Sequence, residues 1–221
     1  YAIAEHAVAL LLALNRKLIL GQQLMETGDY RSDQLTGFDL HGKTIGIVGT
    51  GKIGAAFARI MHGFGCKLLG FDIQENEQLA KDTGIRYTSL TDLCKQSDVI
   101  SVHCPLNNAT RFLFCSTVFA EMKKGVVFIN TARGGLVNTL DLIEALDNGT
   151  VSAAGLDVYE HEKPIFFYDH RDKTIPDELF LKLRSNPHVL ITGHQAFITR
   201  EALEGIANTT IANLDNWERG V

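Results

Sequence analysis

The sequence predicts an α/β fold, a doubly wound parallel sheet with helices on both faces. Three observations predict it. Short apolar runs rich in Val, Ile and Leu recur at 44–48, 67–71, 98–102, 126–130, 152–156 and 189–192, without polar alternation, as strands covered on both faces require. Helical stretches separate most of them, at 52–64, 75–83, 89–95, 116–122 and 138–148, and such alternation builds parallel strand–helix–strand units. Glycine, polar or ionisable residues follow the runs. Right-handed crossovers collect those positions on one sheet edge, where ligands bind.

The first element is an Ala- and Leu-rich stretch, residues 2–30, read as one long helix. Its longest apolar segment, Ala7 to Leu14, is bracketed by Glu5, His6 and Arg16 and is too short for the ~20 residues that span a bilayer. Ala7, Leu10, Leu11 and Leu14 share a helical stripe. On a lone domain that stripe would be exposed, so it is expected to bury against a second copy of the chain. Residues 31–43 are polar and read as a loop. Ser89, Thr117 and Asn138 are expected N-caps, and Lys124-Gly125 and Asn148-Gly149 expected helix stops. A last helix is expected at 199–219.

Residues 45–54 read Ile-Gly-Ile-Val-Gly-Thr-Gly-Lys-Ile-Gly, and the next apolar run ends in Asp72. A G-x-G-x-x-G turn between a strand and a helix, with an acid at the tip of the following strand, points to a dinucleotide. Gly49 allows the tight turn, Gly51 lets a pyrophosphate approach the backbone, and Gly54 lets helix and strand pack closely. The amides opening the helix face the phosphates from its positive dipole end. Asp72 can accept hydrogen bonds from the ribose hydroxyls and would repel a 2′-phosphate, which favours NAD over NADP. The fold class is therefore Rossmann-type.

Composition agrees with a packed globular chain. The 221 residues are 45% hydrophobic and 21% charged, with a formal net charge of −5. No Lys/Arg run is present, so neither nucleic acid nor an anionic membrane is an expected partner. Cys66, Cys94, Cys104 and Cys115 have no metal-ligand or disulfide-framework spacing. No metal is expected, and reduced thiols in the cytoplasm are the expectation.

Three ionisable residues stand out at the strand ends. Arg133 follows the run at 126–130 and precedes two glycines; an Arg fork can bind a carboxylate bidentately. His194 follows the run at 189–192; a histidine, with an unperturbed pKa of about 6.5, can give and take a proton near neutrality. Glu162 lies in the charged stretch after the run at 152–156. Any one alone reads as an ordinary surface or structural residue. Together they place an acid–base, its carboxylate partner and a carboxylate binder on one edge.

The sequence resembles the D-isomer-specific 2-hydroxyacid dehydrogenases over essentially its full length. The matching landmarks are Ala4-Glu5-His6-Ala7, the Gly49–Gly54 turn, Asp72, His103-Cys104-Pro105-Leu106, Asn130-Thr131-Ala132-Arg133-Gly134, Gly155-Leu156-Asp157-Val158-Tyr159-Glu160 and His194-Gln195-Ala196-Phe197. The resemblance implies that Arg133 binds the substrate carboxylate and that Glu162 holds the catalytic His194. It implies cofactor contacts at Gly49, Gly51, Lys52, Ile53, Gly54, Asp72, Cys104, Pro105, Thr110, Thr131, Ala132, Arg133 and Asp157, with Asp157 beside the nicotinamide carboxamide. The Gly-His-Gln-Ala-Phe run and the long stretch Pro164–His170 resemble the family's D-lactate branch. Glu162, where formate-oxidising relatives carry Gln, argues against that chemistry. The expected activity is NAD-dependent reduction of pyruvate to D-lactate. The alternatives are reduction of hydroxypyruvate, glyoxylate or a branched 2-oxo acid, or a non-catalytic NAD-sensing role on the same fold. The expected organisation is an NAD-binding domain over 1–197 that begins with a linking and dimerisation helix. A helix over 198–221 would return to a substrate domain built mostly from residues N-terminal to Tyr1. So bounded, the chain is expected to fold and form a homodimer but to reduce its substrate poorly.

Overall fold

The computed structural model describes residues 1–219. Its centre is a seven-stranded parallel sheet in the order β3-β2-β1-β4-β5-β6-β7. The strands are β1 Thr44–Val48, β2 Lys67–Phe71, β3 Arg86–Tyr87, β4 Val99–Val102, β5 Val126–Asn130, β6 Val151–Leu156 and β7 Val189–Ile191. The helices are α1 Ala2–Asn15, α2 Leu18–Thr27, α3 Lys52–Gly63, α4 Glu77–Thr83, α5 Leu90–Gln96, α6 Ser116–Ala120, α7 Thr139–Asp147, α8 Glu178–Ser185 and α9 Arg200–Glu218. Strand β1 pairs with β2 on one side and β4 on the other. The strand order reverses there, which opens a crevice between the C-terminal ends of β1 and β4.

Successive strand residues point to opposite faces, and both faces are apolar, so no polar alternation was visible. Ile45 and Ile47 of β1 and Val127 and Ile129 of β5 pack with Ala7 and Leu11 of α1, Phe57 and Met61 of α3 and Leu79 of α4. On the other face Val126 and Phe128 of β5 join Leu93, Phe114, Phe119, Leu142, Phe180 and Leu183. Phe128 meets Phe114 and Phe119 edge-on, with centroids 5.0 and 5.7 Å apart.

Four expectations need correction. Residues 2–30 form two helices, not one. Asn15 is buried, its side chain donating to the Phe38 carbonyl at 2.7 Å and accepting from the Phe38 amide at 2.9 Å. The chain turns there through Lys17 in a left-handed conformation, φ 49°. The stripe of α1 does not await a second copy either: Ala7, Leu10 and Leu11 are buried against this chain's own sheet and α3. That removes the ground on which a dimer was expected. Thr117 is not an N-cap; α6 begins one residue earlier, with Cys115 preceding it, and ends at Ala120, before Lys124-Gly125. Finally, β3 and α8 were not anticipated. β3 is a two-residue edge strand, too short to leave a pattern. Helix α8 lies beyond the irregular 159–177 stretch and buries only Phe180 and Leu183. Asp177 caps it, accepting from the Phe180 amide at 2.9 Å, and Tyr159 Oη donates to the same carboxylate. The expected caps Ser89 and Asn138 do accept amides, from Asp92 and Asp141.

The docking of α1 gives a stability prediction. Leu11 is fully buried beneath the sheet-facing side of α1. Leu11→Ala is expected to lower the unfolding free energy by about 2–5 kcal/mol, read as a lower urea midpoint at unchanged slope. A loss within about 0.5 kcal/mol, as at a surface position, would contradict the packing.

Candidate active site

The crevice is built first from the glycine turn. Gly49 sits at φ 91°, and a Cβ there would lie 2.6 Å from the Cys104 amide nitrogen. A Cβ on Gly54 would overlap the Gly49 carbonyl oxygen, whereas one on Gly51 would meet nothing within 4 Å. No side chain caps α3, so the amides that open it, at Lys52, Ile53 and Gly54, are left for a ligand. A pyrophosphate fits this open cradle, its charge facing the positive end of α3. Lys52 and Ile53 are exposed beside it.

Asp72, at the tip of β2, is tied to that turn. Its Oδ2 accepts from the Thr50 amide at 2.5 Å and the Thr50 hydroxyl at 3.1 Å, and its Oδ1 from the Gln74 amide at 3.3 Å. Tyr87 Oη donates to Thr50 Oγ1 at 2.9 Å, so β3, though short, props the turn. The carboxylate is thus fixed beside the glycine turn, where it would accept from a ribose hydroxyl and repel a 2′-phosphate. Asp72→Ala is expected to narrow the preference for NAD(H) over NADP(H), measured by calorimetric titration with both cofactors. Equal affinities in the parent would refute the assignment.

The ends of β4 and β5 line the next part of the edge. The His103 ring packs on Phe57, centroids 5.0 Å apart, and its Nε2 pairs with Ser101 Oγ at 2.9 Å. Burial pushes its pKa down to about 3, so His103 is a neutral packing residue beneath the turn. Burial also pushes the Cys104 thiol up to about 11, which leaves Cys104 its backbone as the means of contact. Pro105 is exposed; its carbonyl accepts from Thr110 Oγ1 at 2.7 Å, so Thr110 shapes this corner. After β5, the Asn130 side chain bridges the turn, accepting from the Ala132 amide and donating to the Arg133 carbonyl. Thr131 Oγ1 is buried with no partner among the described residues. The Arg133 guanidinium is exposed, donating to the Ala132 carbonyl at 2.6 Å, and its fork remains available for a carboxylate.

Two contacts fuse this turn to the one after β6. Gly134 approaches Tyr159 so closely that a Cβ would overlap the Tyr159 carbonyl, and Thr139 Oγ1 donates to Glu160 Oε2 at 3.0 Å. Arg133 and Glu162 are thereby carried on neighbouring loops. Glu162 Oε2 accepts from the Tyr159 amide at 3.0 Å, and Oε1 lies 2.8 Å from His194 Nδ1. With an anionic Glu162, Nδ1 is the protonated nitrogen and Nε2 is left to exchange a proton. His194 holds φ 52°. Its amide donates to the Asp157 carbonyl at 2.8 Å.

Asp157 is fully buried. Oδ1 accepts from Thr192 Oγ1 at 2.5 Å and the Gln195 amide at 2.9 Å, and Oδ2 from the Ala196 amide at 2.9 Å. Burial alone would raise this carboxyl. Hydrogen bonds from His6, Thr192 and the two amides outweigh it and hold the group below the usual carboxylate range.

The structure therefore pairs Glu162 with His194 and ties Asp157 to the segment carrying His194. It gathers Gly49, Gly51, Gly54, Asp72 and Cys104 at the crevice. Two neighbours escaped the sequence reading. Phe167, with φ 72°, is exposed and places its ring 5.9 Å from that of His194, while Phe197 sits 6.2 Å away on another side. His6, which flanks an apolar segment and lies in the Ala4-Glu5-His6-Ala7 landmark without a role assigned to it, reaches the Asp157 network. Among the described residues the four cysteines are unpaired, no cluster of metal-ligating side chains occurs, and no helix is long and apolar enough to cross a membrane.

Comparison with known proteins identifies the family. The family profile for the D-isomer specific 2-hydroxyacid dehydrogenase, NAD binding domain, matches residues 8–196. The D-lactate dehydrogenase of Escherichia coli K12 is 44% identical over 219 residues, which are 99% of this chain and 66% of that protein. The solved pyruvate reductase of Chlamydomonas reinhardtii superposes with a TM-score of 0.93 at 43% identity, covering 98% of this chain and 65% of that one. The D-lactate dehydrogenase of Aquifex aeolicus, solved with NAD and lactic acid, gives a TM-score of 0.92 at 34% identity over 100% of this chain and 67% of that one. The chain spans slightly less than two thirds of the length of the first curated relatives it matches. With the family profile covering residues 8–196 and relatives of this identity, the chain belongs to the D-isomer specific 2-hydroxyacid dehydrogenase family, whose NAD binding domain it forms.

Proposed function

We propose that this protein reduces a small 2-oxo acid to the D-2-hydroxy acid with NADH, and that pyruvate, giving D-lactate, is the preferred substrate. The observation that carries the proposal is the His194–Glu162 pair, 2.8 Å apart, on the same sheet edge as the glycine cradle. NAD, when bound, supplies or takes the hydride. Arg133 grips the substrate carboxylate and so fixes which face of the carbonyl is presented. His194 Nε2 donates a hydrogen bond to the keto oxygen, polarises it, and passes its proton there as the carbonyl carbon is reduced. Glu162 keeps the imidazole oriented through its contact with Nδ1. The neutral imidazole then recovers a proton from solvent; oxidation of the hydroxy acid runs the same steps backwards.

The preference for pyruvate is supported by the named relatives, D-lactate dehydrogenases and a pyruvate reductase. A second domain that closes over this edge belongs to the same proposal. Helix α9 has no buried residue and exposes Leu203, Ile206, Ile211, Leu214 and Trp217. Hydride transfer requires a cleft from which water is excluded. The test is an NADH-oxidation assay of the full-length protein against pyruvate, hydroxypyruvate, glyoxylate and branched 2-oxo acids, with chiral analysis of the product. Highest kcat/KM on pyruvate with D-lactate formed is expected. Another preferred acid would move the substrate within the class. NADH binding without turnover of any of them would overturn the enzymatic proposal in favour of an NAD-sensing role.

A further inference from the structure

We infer that His6 is a positioning residue for the site: acting through Thr192 and Asp157, it fixes the backbone turn that carries the catalytic imidazole. The inference rests on the proposed reduction for its kinetic consequence but not for its structural one. Helix α1 lies across the sheet with Ala4, Ala7, Val8 and Leu11 buried. His6 stands off that stripe and brings Nε2 to 3.0 Å from Thr192 Oγ1 and 3.4 Å from Asp157 Oδ1.

The direction of each bond follows from its terminus. An ionised carboxylate only accepts, so the Thr192 hydroxyl must spend its one proton on Asp157 Oδ1. Its oxygen can then only accept from His6, so Nε2 of His6 carries a proton. The result is a directed chain, His6 Nε2–H to Thr192 Oγ1–H to Asp157, whose far end accepts the amides of Gln195 and Ala196. Those amides follow His194 directly, and His194 itself is held at φ 52°, a conformation that non-glycine residues keep only when their surroundings impose it. A buried carboxylate deprived of a donor rearranges or takes up a proton, and either change loosens the 194–196 turn. The helix thus contributes to the site without touching substrate.

The test uses the full-length protein with His6→Leu, His6→Gln, Thr192→Val and the double variant His6→Leu/Thr192→Val. Gln places an uncharged N–H donor near the position of Nε2, while Leu fills the space without one. Amide hydrogen exchange at Gln195 and Ala196 is read against Ile47 and Ile129 of the central strands, and kcat and KM are read in parallel. His6→Leu is expected to speed exchange at Gln195 and Ala196 about tenfold or more with the core amides unchanged, and to lower kcat more than it raises KM for the 2-oxo acid. His6→Gln is expected to restore both, and the double variant to be no worse than Thr192→Val, since one chain is broken once. Unchanged exchange and kcat in His6→Leu, failure of His6→Gln to restore either, or additive losses in the double variant would each overturn the inference. A parent without turnover whose 195–196 amides still respond to His6→Leu would sink the proposed reduction and leave this inference standing.

Discussion

His194→Ala is expected to lower kcat for 2-oxo acid reduction by about 10²- to 10⁴-fold, the usual contribution of a general acid–base, with NADH affinity close to the parent's. His194 lies after β7, away from the glycine cradle that holds the phosphates, and its ring pairs with Glu162 and not with any cradle residue. Glu162→Gln tests the pairing separately. Gln keeps an acceptor 2.8 Å from Nδ1 but removes its charge, and a charge-assisted hydrogen bond is the stronger one, so the ring is held less firmly and kcat is expected to fall about tenfold or more. Steady-state kinetics and fluorescence titration of NADH check both. Parent-like kcat in Glu162→Gln would refute the pairing, and full activity in His194→Ala would remove the histidine from the chemistry.

Arg133→Lys is expected to reduce kcat/KM by about 10- to 100-fold although the charge is retained. Lysine is a point charge on a flexible stem and cannot make the two parallel bonds of a guanidinium fork. Losing one charge-assisted hydrogen bond costs about 1.5–3 kcal/mol, and tenfold corresponds to about 1.4 kcal/mol. Because the same contact binds and orients, KM should rise and kcat should fall together. The guanidinium is exposed and donates to the Ala132 carbonyl, and its five N–H groups exceed what that one acceptor takes. Parent-like kinetics in Arg133→Lys would show that another group holds the carboxylate.

The sheet was legible in the sequence because burial on both faces forces each central strand to be apolar throughout. β1, β2 and β5 fall on the runs expected for them, and β4, β6 and β7 within one residue of theirs. The glycine turn was legible for a steric reason. No residue with a Cβ fits at Gly49 or Gly54 without striking Cys104 or the Gly49 carbonyl, so the requirement is written in the chain. Arg133, Glu162 and His194 were visible as chemistry at strand ends, and their grouping followed from parallel topology.

Where local signals compete with distant contacts, the sequence fell short. The 2–30 stretch carries helical residues throughout, and only the pairing of Asn15 with Phe38, far along the chain, breaks it. The stripe of α1 reads the same whether it covers another molecule or its own sheet, and three-dimensional packing chose the sheet. His6 and Phe167 gave no local sign of belonging to the site. They meet it through contacts with residues more than a hundred positions away in one case and across an irregular loop in the other. The sequence by itself determined the doubly wound sheet and the dinucleotide turn, and it offered Glu162 and His194, which the fold brings together, because these depend on periodicity, on the absence of side chains and on residue chemistry. Only the tertiary structure decided where α1 spends its apolar face, which groups saturate Asp157 and what surrounds His194, because those depend on long-range packing and on directed hydrogen bonds that no spacing along the chain encodes.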